Sequence, residues 1–250
     1  MANAFISGRR YPTGGGAAIP AGHQSYTANG TFTAPYTGVY TVVLTAGHAA
    51  SGAGARGGNV VTGNNAWGAP GGGGGAGGSA YRSTSPGIIQ VMLSQGQVVS
   101  VTINNSICSF GNYASFSTGT SPGAGSMGGS ATGGGSTSNP GVPGKGGKGG
   151  NGGGKPTFSH SNTLYAILPN LPDADLSGGD GGEGEDGKNN GSGKGGKAGV
   201  ASNSIYGVTG QNGGYGISTD DRKIWDVGYI PIGSTIPAAA GRIDITWGNQ

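Results

Sequence analysis

The fold is indicated by the stretch Gly141-Val-Pro-Gly-Lys-Gly-Gly-Lys-Gly-Gly-Asn-Gly-Gly153, in which glycine returns at every third position. A second stretch, 178–199, keeps the same period, and only Asn190 replaces a glycine of its register. Three residues per turn is the repeat of the polyproline-II helix, which is extended and has no internal hydrogen bonds. Its backbone groups must bond to water or to neighbouring helices, which glycine allows to approach closely. The pattern therefore predicts polyglycine-II-type helices, as a packed scaffold or as a disordered linker.

The composition favours the packed scaffold. Glycine supplies 61 of the 250 residues, far above the average usage of about 7%. Such a bias is typical of disordered chains, but those chains are usually rich in charge. Here only 9% of the residues are charged, and the apolar residues are gathered into short runs.

These apolar runs predict an all-β fold: a small β-sandwich-like frame carrying long glycine-rich loops at about 52–78 and 119–199. Strands are predicted within 31–45, 79–82, 88–93, 98–103 and 242–247 from β-branched residues, alternation and turn signals. Residues 1–28 are expected to form an N-terminal attachment arm, and 29–250 the glycine-rich β domain. The predicted frame core contains Phe32, Tyr40, Phe110, Phe116 and Trp247, with Cys108 as a small buried apolar residue.

Several classes of function are disfavoured. The net charge of +3 rests on only 13 Lys and Arg residues, too few for a nucleic-acid groove. No apolar run has the length of a membrane span, and no signal-peptide core follows Met1, so we expect synthesis in the cytosol. His23, His48 and His160 are scattered without metal-ligand spacing. We expect no catalytic residues, no metal and no cofactor.

The charges within the glycine runs follow the period of three. Acidic side chains recur at Asp180, Glu183 and Asp186, and basic ones at Lys145 and Lys148, and at Lys194 and Lys197. Residues three apart lie along one edge of a helix with three residues per turn. They either pair between neighbouring helices or form a solvated outer edge, where a pair contributes about 0–1 kcal/mol.

The chain resembles the glycine-rich domain found at the ends of bacteriophage tail fibres. The likeness covers about residues 26–250 and is carried by the Thr-Phe-Thr-Ala-Pro opening of 31–43, the polyglycine stretch 71–78, the Leu-x-x-Gly-Gln segment 93–97 and the closing Ile-x-Ile-Thr-Trp of 243–247. The period-three runs are also similar to the polyglycine-II bundles of an adhesin that caps some long tail fibres. The resemblance implies a non-enzymatic virion protein that recognises a bacterial surface glycan or outer-membrane protein. It also implies attachment to other tail-fibre subunits through the arm, and a homo-oligomer, with a trimer as the family-like state.

Large aromatic side chains on loops of small residues offer contact area with few rotamers to freeze. Trp67, Tyr165, Tyr206 and Tyr215 lie within or beside the glycine loops, and they are the candidate receptor-binding residues. They could equally cap the ends of the glycine bundle. The alternative functions are a structural virion protein without a receptor (a decoration, neck or tail component) and an ice-binding protein. The latter needs a flat Thr-rich face, whereas the threonines here fall mostly in the β-frame.

Overall fold

The protein is all-β. The computed structural model describes the backbone of residues 5–6 and 9–10, and residues 19–58, 72–131, 144–161, 163–181, 199–214 and 230–248. The strands in these ranges, in chain order, are β1 (Phe5–Ile6), β2 (Arg9–Arg10), β3 (Gly22–Tyr26), β4 (Gly30–Thr33), β5 (Gly38–Thr45), β6 (Ala80–Tyr81), β7 (Gly87–Leu93), β8 (Val98–Ile103), β9 (Ile107–Phe110), β10 (Ala114–Ser117), β11 (Phe158–His160), β12 (Tyr165–Ile167), β13 (Gly207–Val208) and β14 (Arg242–Trp247).

Two five-stranded antiparallel sheets pack face to face as a β-sandwich. The first sheet has the order β12-β7-β5-β14-β3, and the second has the order β11-β10-β9-β8-β4. Alternation along β5 turns Tyr40, Val42 and Leu44 into the core, because successive side chains of a strand point to opposite faces. Phe32 of the second sheet meets Tyr40 edge to face, with ring centroids 5.4 Å apart.

This core confirms most of the sequence prediction. Phe32, Tyr40, Phe110 and Phe116 are buried, and Trp247 is partly buried against them. Cys108 is also buried, and this burial raises the pKa of its thiol to about 11. The core cysteine is therefore a protonated, apolar residue, as expected.

The sheet includes residues that the sequence assigned to the arm. Strand β3 lies within 1–28, yet it pairs with β14 along its whole length, from Gly22 opposite Trp247 to Tyr26 opposite Ile243. A Cβ on Gly22 would overlap the Trp247 indole, so glycine lets the ring lie flat on the edge strand. The frame therefore includes residues 22–26, and the attachment function of the arm stays a prediction.

The glycine-rich chain forms a bundle of extended segments, with residues 72–79 at its centre. All eight residues of this central segment are buried. Its backbone bonds to segments in six directions, and every neighbour that it meets more than once is met at intervals of three residues. Its amides donate to 123–129 (from Gly72, Gly75 and Gly78), to 210–214 (from Gly74 and Gly77) and to 176–181 (from Ala76 and Ser79). Its carbonyls accept from 52–58 (at Gly72, Gly75 and Gly78), from 144–153 (at Gly73, Ala76 and Ser79) and from 199–201 (at Gly74).

The six surrounding segments are joined to one another in a closed ring. In chain order they are 52–58, 123–129, 144–153, 176–181, 199–201 and 210–214, and each bonds to the next through its backbone. The ring closes where Gln211 donates to Gly52 across 3.0 Å. Around the ring, segments that donate to the central segment therefore alternate with segments that accept from it. This alternation is expected when the backbone amides and carbonyls of successive residues point about 120° apart.

The packing of glycine segments against one another is thus within a single chain for the described residues. Gly147, Gly150 and Gly153, which share the register noted in the sequence, donate to Gly73, Ala76 and Ser79 of the central segment. We interpret the three-residue bonding period as polyglycine-II geometry, and that conformation stays a prediction. Glycine is needed because backbone faces backbone: a Cβ on Gly75 would overlap the Lys148 carbonyl and lie 2.9 Å from the Gly149 nitrogen.

Candidate functional site

The bundle has two ends, and one of them rests on the sandwich. At this near end, Thr118 donates to Ser106 in the turn between β8 and β9 (2.9 Å). Gly153 packs against the backbone of Ala80 and Tyr81, which form β6. The central segment enters the near end at Ser79, so its other terminus, Gly72, marks the far end.

The chain on either side of residues 59–71 and 132–143 lies at the far end. Gly58 donates to Gly72 across 2.7 Å, which brings the two sides of 59–71 together. Gly129 donates to the carbonyl of Lys145 across 2.7 Å, which does the same for 132–143. Gly72 also donates to Gly129 (3.0 Å), so these two pairs are neighbours.

The chain on either side of 182–198 and 215–229 reaches the same level. Gly181 donates to Gly147 (2.8 Å), whose own amide bonds to Gly73 of the central segment. Gly74 accepts from Gly199 (2.9 Å) and donates to Gly214 (2.8 Å). On the other side of 215–229, the chain returns to the bundle at Ile232, which forms an isolated β-bridge with Asn212. The described chain on either side of four internal ranges is thus brought together toward the far end.

Two of the four candidate aromatic residues, Tyr165 and Tyr206, are among the residues that the structure describes. Trp67 and Tyr215 lie outside the described residues, within the ranges 59–71 and 215–229. Tyr165 is on β12, the edge strand of the first sheet, with 43% of its surface exposed. Tyr206 is half-buried at the near end, where its carbonyl accepts from the Arg82 amide (2.7 Å). Tyr165 and Tyr206 are therefore not at the far end.

The N-terminal arm leaves from the opposite pole of the molecule. Ile19 packs directly against Gly38, the first residue of β5, and Pro20 lies against Gly248 just beyond β14. Strand β5 runs from this pole toward the bundle, which the chain enters at Gly52. The start of the frame at Ile19 and the described chain on either side of the four ranges therefore lie at opposite poles.

A predicted pairing of charges occurs on the side of the bundle. Lys148 Nζ lies 3.1 Å from Asp180 Oδ2, and the two side chains are 83% and 55% exposed. The Gly149 amide, which donates to Asp180 (2.6 Å), and the Lys148 ammonium hold the pKa of this carboxyl below its usual value. The pair joins neighbouring segments yet stays solvated, so both interpretations of the charge pattern hold here. Glu183, Asp186, Lys194 and Lys197 lie outside the described residues.

The described part of the far end carries exposed cationic and apolar side chains. Arg56, Lys145 and Met127 are exposed on the last turns of three adjacent segments, and Met127 is 64% exposed. The carbonyls of Arg56 and Lys145 accept from Gly128 and Gly129, so the two cations flank the segment of Met127. Among the residues that the structure describes, no group of three or more His, Cys, Asp or Glu could hold a metal ion.

Comparison with known proteins found no matching family model, no matching curated protein and no matching solved structure. Within the described ranges, no helix is long and apolar enough to cross a membrane.

One feature of the site was missed by sequence reasoning. Residues 72–79 have no period of three, so they read as an ordinary glycine loop rather than as the axis of the bundle. The available signal was an unbroken run of eight small residues from Gly72 to Ser79. A segment with six backbone neighbours has no direction in which a large side chain fits.

Proposed function

We propose that this protein is a bacteriophage tail-fibre tip protein that binds a receptor on the bacterial surface through the chain held at the far end of the glycine bundle. The observation that carries the proposal is the polarity of the molecule. The frame begins with Ile19 at one pole, and the described chain on either side of four internal ranges lies at the other. An adhesin needs this arrangement, because attachment to the fibre and contact with the cell must occur on opposite sides.

The bundle also supports the proposal energetically. Loops presented on a rigid base lose less conformational freedom on binding than loops on a mobile one, which favours affinity. Receptor candidates are a bacterial surface glycan or an outer-membrane protein. Several copies on a virion add avidity to a modest affinity per copy. The part of the predicted arm (residues 1–28) that precedes β3 joins the protein to other tail-fibre subunits, in a virion assembled within the host cytoplasm.

The test uses fluorescently labelled full-length protein and a panel of Gram-negative strains. We expect saturable binding to at least one strain, and reduced phage adsorption to that strain when the protein is present. Trp67→Ala and Tyr215→Ala should each weaken cell binding by about tenfold or more, since an aromatic at the centre of an interface contributes about 2 kcal/mol or more.

Tyr165→Ala and Tyr206→Ala serve as matched controls, because they remove aromatic rings from the sandwich edge and from the near end. They should leave cell binding within twofold of the unmodified protein. Equal losses for all four variants at unchanged melting temperature, or no binding to any strain that the phage infects, would contradict the proposal.

The second candidate function, a structural virion protein without a receptor, predicts a different position in the particle. An adhesin must lie at a distal fibre tip with the far end of its bundle pointing outward. Labelling the protein in intact particles and imaging them by electron microscopy separates the two. A position in the neck or on the capsid would favour the structural function.

A further inference from the structure

Two adjoining polar grooves lie on the second sheet, separated by the turn between β9 and β10. The first has a volume of about 390 Å³ and is lined by residues 97–100 and 111–113. The second, of about 260 Å³, is lined by residues 111, 112, 114, 115 and 159–161. The larger volume is within the range of small-ligand sites. Both grooves are at the pole from which the arm leaves, because β8 begins there and β9 ends there.

The walls of the grooves are held in place by hydrogen bonds. Gln97 donates from Nε2 to the Tyr113 hydroxyl (2.8 Å) and accepts the Ser94 amide at Oε1 (3.0 Å). The Asn112 carbonyl accepts the Ser161 hydroxyl across 2.5 Å. Gly111 has a φ of 50°, and a Cβ there would lie 2.8 Å from Val99 Cγ1, so the turn needs glycine. The grooves are thus formed before any ligand binds.

The lining is polar and holds no carboxylate, ammonium or guanidinium group. None of its residues is Asp, Glu, Lys or Arg, and its polar groups are hydroxyls, carboxamides and the His160 imidazole. Within the described part of the chain, the Asn112 carboxamide and the Ser100 hydroxyl make no hydrogen bond, so they are available to a ligand. An ionic ligand would lose hydration here without gaining a counter-charge.

We propose that the two grooves bind a neutral oligosaccharide. Sugar hydroxyls both donate and accept hydrogen bonds, as do the carboxamide of Asn112 and the hydroxyl of Ser100. The Tyr113 ring, fixed by Gln97, offers an apolar surface to the C–H face of a sugar ring. One sugar unit occupies each groove, and the chain of the ligand crosses the turn at Gly111. This site is separate from the far end and does not depend on the proposed function.

The test is a calorimetric titration of the full-length protein, with saturation-transfer NMR to identify the ligand protons in contact. Maltotriose, cellotriose and chitotriose are the neutral probes, and 3′-sialyllactose is the charged comparison. We expect saturable binding of at least one neutral trisaccharide, and much weaker binding of sialyllactose. Asn112→Ala should weaken the binding by about tenfold, the effect of one lost polar partner at a formed site.

Ser109→Ala is the matched control, since Ser109 lies on β9 of the same sheet but lines neither groove. It should bind the same sugar within twofold of the unmodified protein. If Asn112→Ala lowers the melting temperature, Ser100→Ala provides the test of sugar binding instead, because Ser100 lies on a strand and lines the first groove. No saturable binding of any neutral probe, equal binding of sialyllactose, or full affinity in both groove variants would overturn the proposal. Cell binding by Asn112→Ala should be retained, so failure here is distinct from failure of the far-end receptor function.

Discussion

Asp180 shows how single residues hold one glycine segment against the next. Its carboxylate accepts hydrogen bonds from the Lys148 ammonium and from the Gly149 amide, both of which belong to the neighbouring segment. Because its pKa is lowered in the folded state, the ionised form is favoured by folding. The resulting stability is present above the ordinary aspartate pKa of about 3.9 and is lost as the pH falls through the lower folded-state value.

The first prediction concerns this carboxylate. Asp180→Asn should lower the melting temperature at pH 7 and low salt, and the difference from the unmodified protein should shrink as the pH falls below about 4. Differential scanning calorimetry across pH 2.5–7 measures both quantities. Asp175→Asn is the comparison, since among the described residues the Asp175 carboxylate accepts only from Ser177, two residues away, whereas the bond from Ser202 reaches the main-chain carbonyl, which the substitution keeps. A pH-independent difference for Asp180→Asn would contradict the account.

A second prediction concerns Cys108. Burial and a pKa of about 11 should leave the thiol unreactive toward iodoacetamide at pH 8 in the native protein, with rapid alkylation in denaturant. Because the folded state favours the neutral thiol, its contribution to stability should be complete below about pH 8.5 and decline as the pH rises toward 11. Mass spectrometry of timed samples measures the reaction. Fast labelling without unfolding would show that the core opens locally.

At the scale of elements, the central segment depends on backbone contacts that leave no space for side chains. Gly75 and Ala76 are neighbours in this segment, but only Ala76 has space for a methyl group. Gly75→Ala should destabilise the protein by about 1–3 kcal/mol, at the upper end because the obstructing atoms are backbone. Ala76→Gly should cost about 1 kcal/mol, from backbone entropy and a lost methyl.

Urea denaturation of both variants checks this third prediction. Hydrogen exchange at Ser126 and Lys148, which bond to each other beside Gly75, adds a local measurement. Protection there should fall in Gly75→Ala and persist in Ala76→Gly. The reverse order of stabilities would argue against a tightly packed central segment.

The same elements show what could be predicted from the sequence. The period of three marks surrounding segments such as 144–153, because only one residue in three faces the centre of the bundle. It fails for 72–79, where every residue faces a backbone and the period is lost. The strands and their aromatic core followed from alternation. The bundle end at which Tyr206 lies could not be predicted, since position within a glycine run does not indicate the direction in which that run crosses the bundle.

At the scale of the whole molecule, the two poles should be separable. Deleting residues 1–18 should leave the melting temperature nearly unchanged, because the described frame begins with Ile19 against Gly38. The shortened protein should still bind cells but should no longer join tail-fibre particles. Sedimentation with purified fibres and cell binding in parallel measure the two activities. Loss of both at once would show that the arm supports the far end.

The six-fold contacts of the central segment also bear on how such a chain can change in length. Adding one glycine between Gly75 and Ala76 would turn the residues before it by about 120° and move them along the axis by about 3 Å. Each amide would still face an acceptor, because the neighbours to which the central segment donates are themselves about 120° apart. A methyl group has no such freedom, since a Cβ at the position of Gly75 or Gly77 would overlap a neighbouring carbonyl. The axis should therefore accept single added residues only where each added residue is glycine.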